Sequence, residues 1–481
     1  MAAATEQLFI AGAWRDAGAT FEDMNPTTGE VWRQVADGGA DEAREAVEAA
    51  GSAQPEWAAL PADQRARVLI RAMSALEDQQ DMLVEALVDE GGGWIGKGMF
   101  ESGYVVGIAQ AAAAAAQSAT GEVLPSDSGK LSIVFREPVG VVSVISPWNF
   151  PLLLSMRAVA FALAVGNAVV LKPSEETPVA GGTHLARVFE AAGLPPGLLN
   201  VVTCSRARVA EVGEVLVGHP AVGAVSFTGS TAVGREIAAL GGRHLKKVAL
   251  ELGGKDALIV LDDADLDRAV DAATFGSFMH AGQICMAVER ILVDAGIAEE
   301  FTERFAAKAA TLTVGDPRAN VIGPVINARQ AGKIRAHVDE AVAQGATVRA
   351  GGGSDGLFFE PTVLDTVTPD MAVWADETFG PVAPVIAVSG EDEAVKLAND
   401  SAYGLSAGII TGDEERGLSV ARRLETGMAH VNDASVYDEP NAPFGGVKSS
   451  GLGRHGGKAA IDAFTTTRWI TLERGGRHYP F

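Results

Sequence analysis

Cysteine is scarce in this chain of 481 residues, which contains only Cys204 and Cys285. Two thiols cannot build a disulfide framework, and the scarcity fits a reducing compartment, so a cytoplasmic location is expected. Long hydrophobic runs are missing as well. The most apolar stretch, 139–171, is broken by Pro147, Asn149, Pro151 and Arg157. A bilayer-spanning helix of about 20 residues does not carry these together, so no membrane partner is expected. The opening MAAATEQLFIAGAW has no basic patch leading into an apolar core and predicts no secretory signal. Positive charge is in deficit: 38 Lys and Arg face 62 Asp and Glu, for a formal net charge of −24. A surface of that sign repels nucleic acid and anionic membranes, which excludes nucleic acid as a partner. Internal repeats are lacking, and no metal is assigned. Asp262, Asp263, Asp265 and Asp267 lack the glycine and glutamate that a calcium loop places sixth and twelfth. Acids that open a helix are accounted for by its dipole.

What is present is an ordinary globular balance, with 47% hydrophobic and 21% charged residues, so disorder is excluded as the main state. The 56 glycines exceed the usual share, whereas the 21 prolines do not, which points to tight turns and close backbone approaches. The length suggests two to four domains of roughly 100–200 residues. Short apolar runs alternate with amphipathic stretches, the pattern of a parallel sheet crossed by helices. Strands are expected at 139–145, 168–171, 199–202 and 224–227, and helices at 151–165, 183–192 and 234–240. A second series follows Gly253-Gly254, with a strand at 257–261 and a helix starting at Asp262 or Asp263 and running past Phe275. Helices at 297–311 and 327–344 and strands near 382–386, 407–410 and 428–431 complete it. The six-alanine run Ala111–Ala116 reads as interior helix. Two alternating segments, 130–137 and 465–472, look like strands with no sheet of their own, an arrangement often completed by a neighbouring subunit.

Several short motifs carry chemistry. Cys285 stands in His280-Ala281-Gly282-Gln283-Ile284-Cys285-Met286, with small or polar residues where a core helix would want bulk. It is either a buried structural thiol or a nucleophile, and a helix N-terminus there would lower its pKa. The five-residue spacing to His280 does not place both side chains on one helical face. Glu251, between Leu250 and Leu252 and ahead of two glycines, is either a strand-edge partner of Lys255 or a buried base of raised pKa. Asn149, in Pro147-Trp148-Asn149-Phe150-Pro151, is either a turn residue or an amide donor to an oxyanion. Phe227-Thr228-Gly229-Ser230-Thr231 follows a strand and opens a helix, a position suited to phosphate. It is not the G-x-G-x-x-G fingerprint. Lys172-Pro173-Ser174-Glu175 ends a strand where ribose hydroxyls are gripped in dinucleotide folds, or is a solvated loop. The cluster Arg243-His244-Leu245-Lys246-Lys247 reads as surface.

Taken in order, Pro147–Pro151, Lys172–Glu175, Phe227–Ser230, Glu251–Lys255, Gly282–Cys285, Glu377-Thr378-Phe379-Gly380-Pro381 and Pro443-Phe444-Gly445-Gly446 resemble the NAD(P)-dependent aldehyde dehydrogenase superfamily. The resemblance runs from Leu8 to Trp469. The stretches 278–286 and 462–470 look most like the bacterial benzaldehyde, vanillin and salicylaldehyde dehydrogenases. It implies an α/β fold with a Rossmann-type cofactor domain (1–120 and 139–250), an α/β catalytic domain (251–450) and a small oligomerisation element (121–138 and 463–481). It further implies Cys285 as nucleophile through a thiohemiacetal and a thioester, Asn149 as oxyanion donor and Glu251 as the base that activates water. NAD contacts are implied at Ser146, Trp148, Lys172, Ser174, Glu175, Gly229, Ser230, Leu252, Glu377 and Phe379, and Glu175 favours NAD over NADP by repelling a 2′-phosphate.

The expected aldehyde pocket is walled by Phe150, Leu153, Arg157, Ile284, Met286, Val436, Tyr437 and Phe444, a set that suits a flat apolar ring. Two positions depart from the wider family. His455 stands where a glutamate commonly follows Gly-Arg, which leaves any proton relay there open. Arg157 replaces an aromatic residue, as in the aromatic-aldehyde subgroup, either to contact a ring hydroxyl or to form an internal salt bridge. The expected partners are thus an aldehyde and a second copy of the chain, as homodimer or homotetramer. The competing readings are an aliphatic aldehyde or semialdehyde dehydrogenase, and a non-catalytic nucleotide-binding protein. The presence of Cys285, Glu251 and Asn149 together speaks against the last.

Overall fold

A computed structural model describes residues 5–126 and 128–481. Five apolar runs become the parallel centre of an eight-stranded sheet, in the order Lys247–Glu251, Val222–Thr228, Val141–Ile145, Ala168–Lys172 and Leu199–Val201. Gly451–Leu452 adds antiparallel at one edge, and the hairpin Leu8–Ile10 with Ala13–Arg15 at the other. Val141–Ile145 and Ala168–Lys172 are buried at every position. Strands covered on both faces need apolar residues on both, which explains why they read as unbroken runs.

The helix Pro151–Ala164 is likewise buried throughout. Proline at its first turn fits because the missing N–H has no partner there anyway. It packs against Ile95–Ser118, where the alanine run lets the two backbones approach.

The second unit is a seven-stranded sheet in the order Thr347–Ala350, Thr362–Asp365, Val382–Val388, Val288–Asp294, Asp256–Val260, Ala407–Ile410 and His430–Val431. Its core is separate, and the chain returns to the first core through the helix Gly457–Phe464. Among the described residues no helix is long and apolar enough to cross a membrane.

Three local expectations are corrected. The helix after Asp256–Val260 begins at Leu266, because Asp265 caps it by accepting from the N–H groups of Asp267 and Arg268. Asp262 and Asp263 turn aside to Arg416. The helix expected over 183–192 is His184–Ala191, entered through a wider turn at Val179–Thr183. The two strands expected to lack a sheet pair with each other, from Thr465 opposite Pro138 to Leu472 opposite Leu131, and Glu122–Leu124 adds on the far side. Beyond Thr465 every residue of Thr465–Leu472 is exposed, Trp469 at 68%.

Candidate active site

The strand registers bring the motifs to one edge. Glu251 lies opposite Thr228, Phe227 opposite Ile145, and Ile145 opposite Lys172. The segments that follow these four strands therefore leave the sheet side by side at its carboxyl edge, where open α/β sheets bind ligands. Ser230 caps the next helix, Thr231–Arg243, so the Gly229-Ser230 turn presents a helix N-terminus to the same edge.

Cys285 reaches this edge from the second unit. The helix Leu266–Phe278 ends just ahead of three left-handed residues, His280 (φ 52°), Ala281 (φ 54°) and Gly282 (φ 69°). For the two residues with a Cβ this backbone costs roughly 1–2 kcal/mol each, so something must hold it. Gln283, fully buried, does so: its Oε1 accepts from Ile326 N–H at 2.9 Å and its Nε2 donates to the His280 carbonyl at 3.1 Å. A Cβ on Gly282 would lie 2.2 Å from the Gly380 carbonyl oxygen, so no side chain fits there.

Cys285 occupies the turn between this segment and the strand Val288–Asp294, and no helix begins at it. The helix N-terminus that would have lowered its pKa is therefore absent there. Burial, with Asp256, Glu251 and Glu377 nearby, pushes the thiol up.

Asn149 is buried, and its Nδ2 donates to the Gln283 carbonyl at 3.0 Å. One amide hydrogen is thus spent on orientation, and the other remains. Glu251 is buried, and among the described residues neither of its carboxylate oxygens is hydrogen-bonded. Burial raises its pKa well above the ordinary carboxyl range, against the opposing pull of Arg157 and Arg454. Gly445 makes room for it, since a Cβ there would fall 2.3 Å from Glu251 Oε1. Lys255 pairs with Glu289 at 2.6 Å, so the Glu251–Lys255 pairing does not form.

Two cavities meet at Asn149, Leu154 and Cys285. The larger, of about 510 Å³, is lined by all eight residues expected on the aldehyde wall. Trp94, Gly96, Phe100, Phe275, Met279, Asp433 and Asp438 complete it and were not anticipated. Trp94 had a signal, being an indole set among glycines at 91–96 where a turn would be polar. The others have no local mark. Arg157 forms a salt bridge to Asp438 through Nη2 and lies 4.5 Å over the Phe444 ring, so the internal ion pair is present, while its buried Nη1 has no hydrogen-bond partner among the described residues.

The second cavity, of about 290 Å³, is lined by Trp148, Gly229, Ser230, Leu252, Glu377 and Phe379 of the expected cofactor set, together with Glu251. Arg329, Gln330 and Lys333, from the helix Ala328–Ala343, also reach it. Nothing in that helix's sequence separates them from solvent-facing residues.

Ser146, Lys172, Ser174 and Glu175 do not line this cavity. Ser146 accepts from the Ser155 hydroxyl at 2.7 Å, and Ser174 accepts from Glu176 N–H at 3.2 Å. Lys172 lies 3.6 Å from Glu175, which also holds Arg206 at 3.2 Å. His455 does not join Glu251. Its Nε2 lies 3.1 Å from the Ser226 hydroxyl, its ring stacks on Phe464, and burial pushes its pKa down to about 3.

Comparison with known proteins agrees with this architecture. Residues 14–470 match the aldehyde dehydrogenase family. The chain is 48% identical over 475 residues to a vanillin dehydrogenase of an Amycolatopsis species, covering 98% of this chain and 97% of that one. It is 43% identical over 473 residues to an NAD(+) benzaldehyde dehydrogenase of Pseudomonas putida, covering 97% and 96%. The crystal structure of a salicylaldehyde dehydrogenase from Pseudomonas putida G7, complexed with salicylaldehyde, matches with a TM-score of 0.97 at 39% identity, covering 99% of this chain and 100% of that one. These likenesses run through both sheets and every loop that meets at Cys285, and the chain belongs to the aldehyde dehydrogenase family.

Proposed function

We propose that the protein oxidises an uncharged aromatic aldehyde to its carboxylic acid with NAD. The observation that carries this reading is the meeting of two unlike cavities at one thiol, the larger walled by Trp94, Phe100, Phe150, Phe275, Tyr437 and Phe444. Flat rings suit aromatic walls, and the charge of the one cation on that wall, Arg157, is balanced by Asp438. The names of the relatives, vanillin, benzaldehyde and salicylaldehyde dehydrogenase, support the same substrate class.

The residues of the smaller cavity fit a dinucleotide. Ser230 opens a helix toward it, Glu377 offers a carboxylate to ribose hydroxyls, and Trp148 and Phe379 supply rings. A Cβ on Gly253 would fill the space in front of Glu377, 2.6 Å from its Oε1. NAD is also named for one relative. When bound, NAD supplies the two-electron acceptor that takes hydride from the substrate carbon.

The chain's own groups do the rest. Cys285 Sγ bonds to the aldehyde carbon while the carbonyl π pair moves to oxygen and the thiol proton passes to solvent. The second hydrogen of Asn149 Nδ2 and the Cys285 N–H hold that oxyanion. Loss of hydride leaves a thioester on Cys285. Glu251 takes a proton from water, the water oxygen adds to the thioester carbon, and the C–S bond breaks to release the acid and the thiolate. His280, buried with its pKa pushed well below the usual value, stays neutral against Phe150 and takes no part.

We assign the three-stranded sheet around Thr465–Leu472 to homo-oligomer assembly, on the exposure of its outer strand and of Trp469. A cytoplasmic location rests on the two unpaired cysteines. The test is NADH absorbance with purified protein against benzaldehyde, vanillin, salicylaldehyde, hexanal and succinic semialdehyde. The aromatics are expected to give the highest kcat/KM. Hexanal outpacing them would overturn the substrate class, and no turnover with any aldehyde would overturn the catalytic reading.

A further inference from the structure

The cofactor-facing loop Glu377-Thr378-Phe379 is gripped by two side chains that the chemistry above leaves without a role. Glu289 accepts from Thr378 N–H on one carboxylate oxygen and from Phe379 N–H on the other, both at 2.7 Å. Gln330 Nε2 donates to the carbonyls of the same two residues, at 2.9 and 2.8 Å. The three successive peptide groups from Glu377 to Gly380 are thereby held, the central one from a strand on one side and a helix on the other. Phe379 needs such a hold, because its φ of 56° is left-handed and it carries a large ring.

The grip is anchored from below. Glu289 is 2% exposed and takes Lys255 Nζ at 2.6 Å, and Lys255 is itself 2% exposed. The Lys255 carbonyl is in turn held by Arg290 from Nε at 3.1 Å and Nη2 at 2.9 Å. His337 touches the same loop through Nδ1, 3.2 Å from the Thr378 hydroxyl. Glu289 stands four residues after Cys285, in the strand Val288–Asp294 that the thiol turn enters, and a Cβ on Gly254, next to Lys255, would meet the Cys285 carbonyl oxygen at 2.3 Å. One short rigid stretch therefore fixes both the thiol and the loop that bears Glu377 and Phe379.

We infer that Glu289, seated on Lys255 and assisted by Gln330, is a positioning residue that sets the nicotinamide end of the cofactor cavity in register with Cys285. This rests on the NAD reading of that cavity. A carboxylate is required because Lys255 and Thr378 N–H share one of its oxygens and Phe379 N–H takes the other, so a glutamine would turn its NH₂ either on the Phe379 N–H or on the Thr378 N–H and the Lys255 ammonium.

The experiment is calorimetric titration without aldehyde, using NAD and, separately, AMP, which lacks the nicotinamide end. In Glu289→Gln the Kd for NAD is expected to rise at least tenfold while the Kd for AMP stays within twofold of wild type. Glu289→Asp, which keeps the charge but shortens the reach to the Thr378 and Phe379 N–H groups, is expected to raise the NAD Kd three- to tenfold with AMP again unchanged, and it keeps the test decisive if Glu289→Gln does not fold. Equal weakening of NAD and AMP in the folded variants would show a general structural role and overturn the inference, as would an unchanged NAD Kd in both. Wild-type protein that binds neither nucleotide would instead overturn the cofactor reading itself.

Discussion

The cavity on the apolar side of Cys285 takes its wall from four separate stretches, 94–100, 149–157, 275–286 and 433–444, whereas much of the cavity on the polar side hangs on segments that follow adjacent parallel strands. The first is a matter of shape. Many apolar side chains each cover part of a ring, so exchanging one alters fit by degrees. The second is a matter of particular atoms: a capped helix start at Ser230, a carboxylate at Glu377, a ring at Phe379. Cys285 and Asn149 belong to both, and there the tolerance of the apolar side ends.

The largest effect separates chemistry from either cavity. Cys285→Ala is expected to lower aldehyde oxidation below about one part in a thousand, because a covalent nucleophile has no substitute, while NAD titrates normally. Retained turnover would remove Cys285 from its assigned role.

Asn149→Ala is expected to cost about 100- to 1000-fold in kcat, as loss of one oxyanion donor does, with little change in the NAD Kd. In Glu251→Gln a burst of NADH equal to the enzyme concentration should precede a slow steady state in rapid-mixing absorbance. A burst-free trace with unchanged kcat would mean that Glu251 does not serve deacylation.

Phe444→Leu should raise the benzaldehyde KM about tenfold, the scale of lost ring packing, and leave NAD binding alone. If NAD binding weakens equally, the two cavities are less independent than their walls imply.

The smallest effect is on stability against pH. The folded pKa of Glu251 lies well above its unfolded value because burial disfavours the charge. Its contribution to stability is therefore intact below the ordinary carboxyl pKa and is lost as pH rises toward and through the folded value. Glu251→Gln cannot ionise, so its Tm relative to wild type should climb between pH 5 and pH 9. A constant difference would mean that the buried carboxyl is not shifted. The oxidation rate of the wild type should also rise with pH, since both the thiol and Glu251 are pushed up and both act after losing a proton.

Much of this arrangement is visible in the chain before folding, and the reasons are local. Fully covered parallel strands such as Val141–Ile145 and Ala168–Lys172 must be apolar at every position. Gly282 and Gly445 stand out because backbone or Glu251 occupies the place of a side chain. What stayed hidden is non-local. Asp438 becomes the partner of Arg157 only when segments 281 residues apart meet. Thr465–Leu472 and Leu131–Pro138 each read as unpartnered, because the alternation of one strand carries no address for the other. The thiol offers the clearest divergence, since a helix N-terminus there would have lowered its pKa, whereas left-handed residues lead through Cys285 into a strand and burial raises it.

The sequence by itself determined the two α/β units, the acidic surface, the absence of a disulfide framework and the segments that carry Asn149, Glu251 and Cys285, since each depends on composition or on spacing within a few residues. Only the tertiary structure decided that no described residue hydrogen-bonds the Glu251 carboxylate, that Lys255 serves Glu289, that Arg157 pairs with Asp438, and that two cavities of different character share one cysteine. Burial and pairing are properties of the space between elements. They come into being when the sheets pack, and no window along the chain contains them.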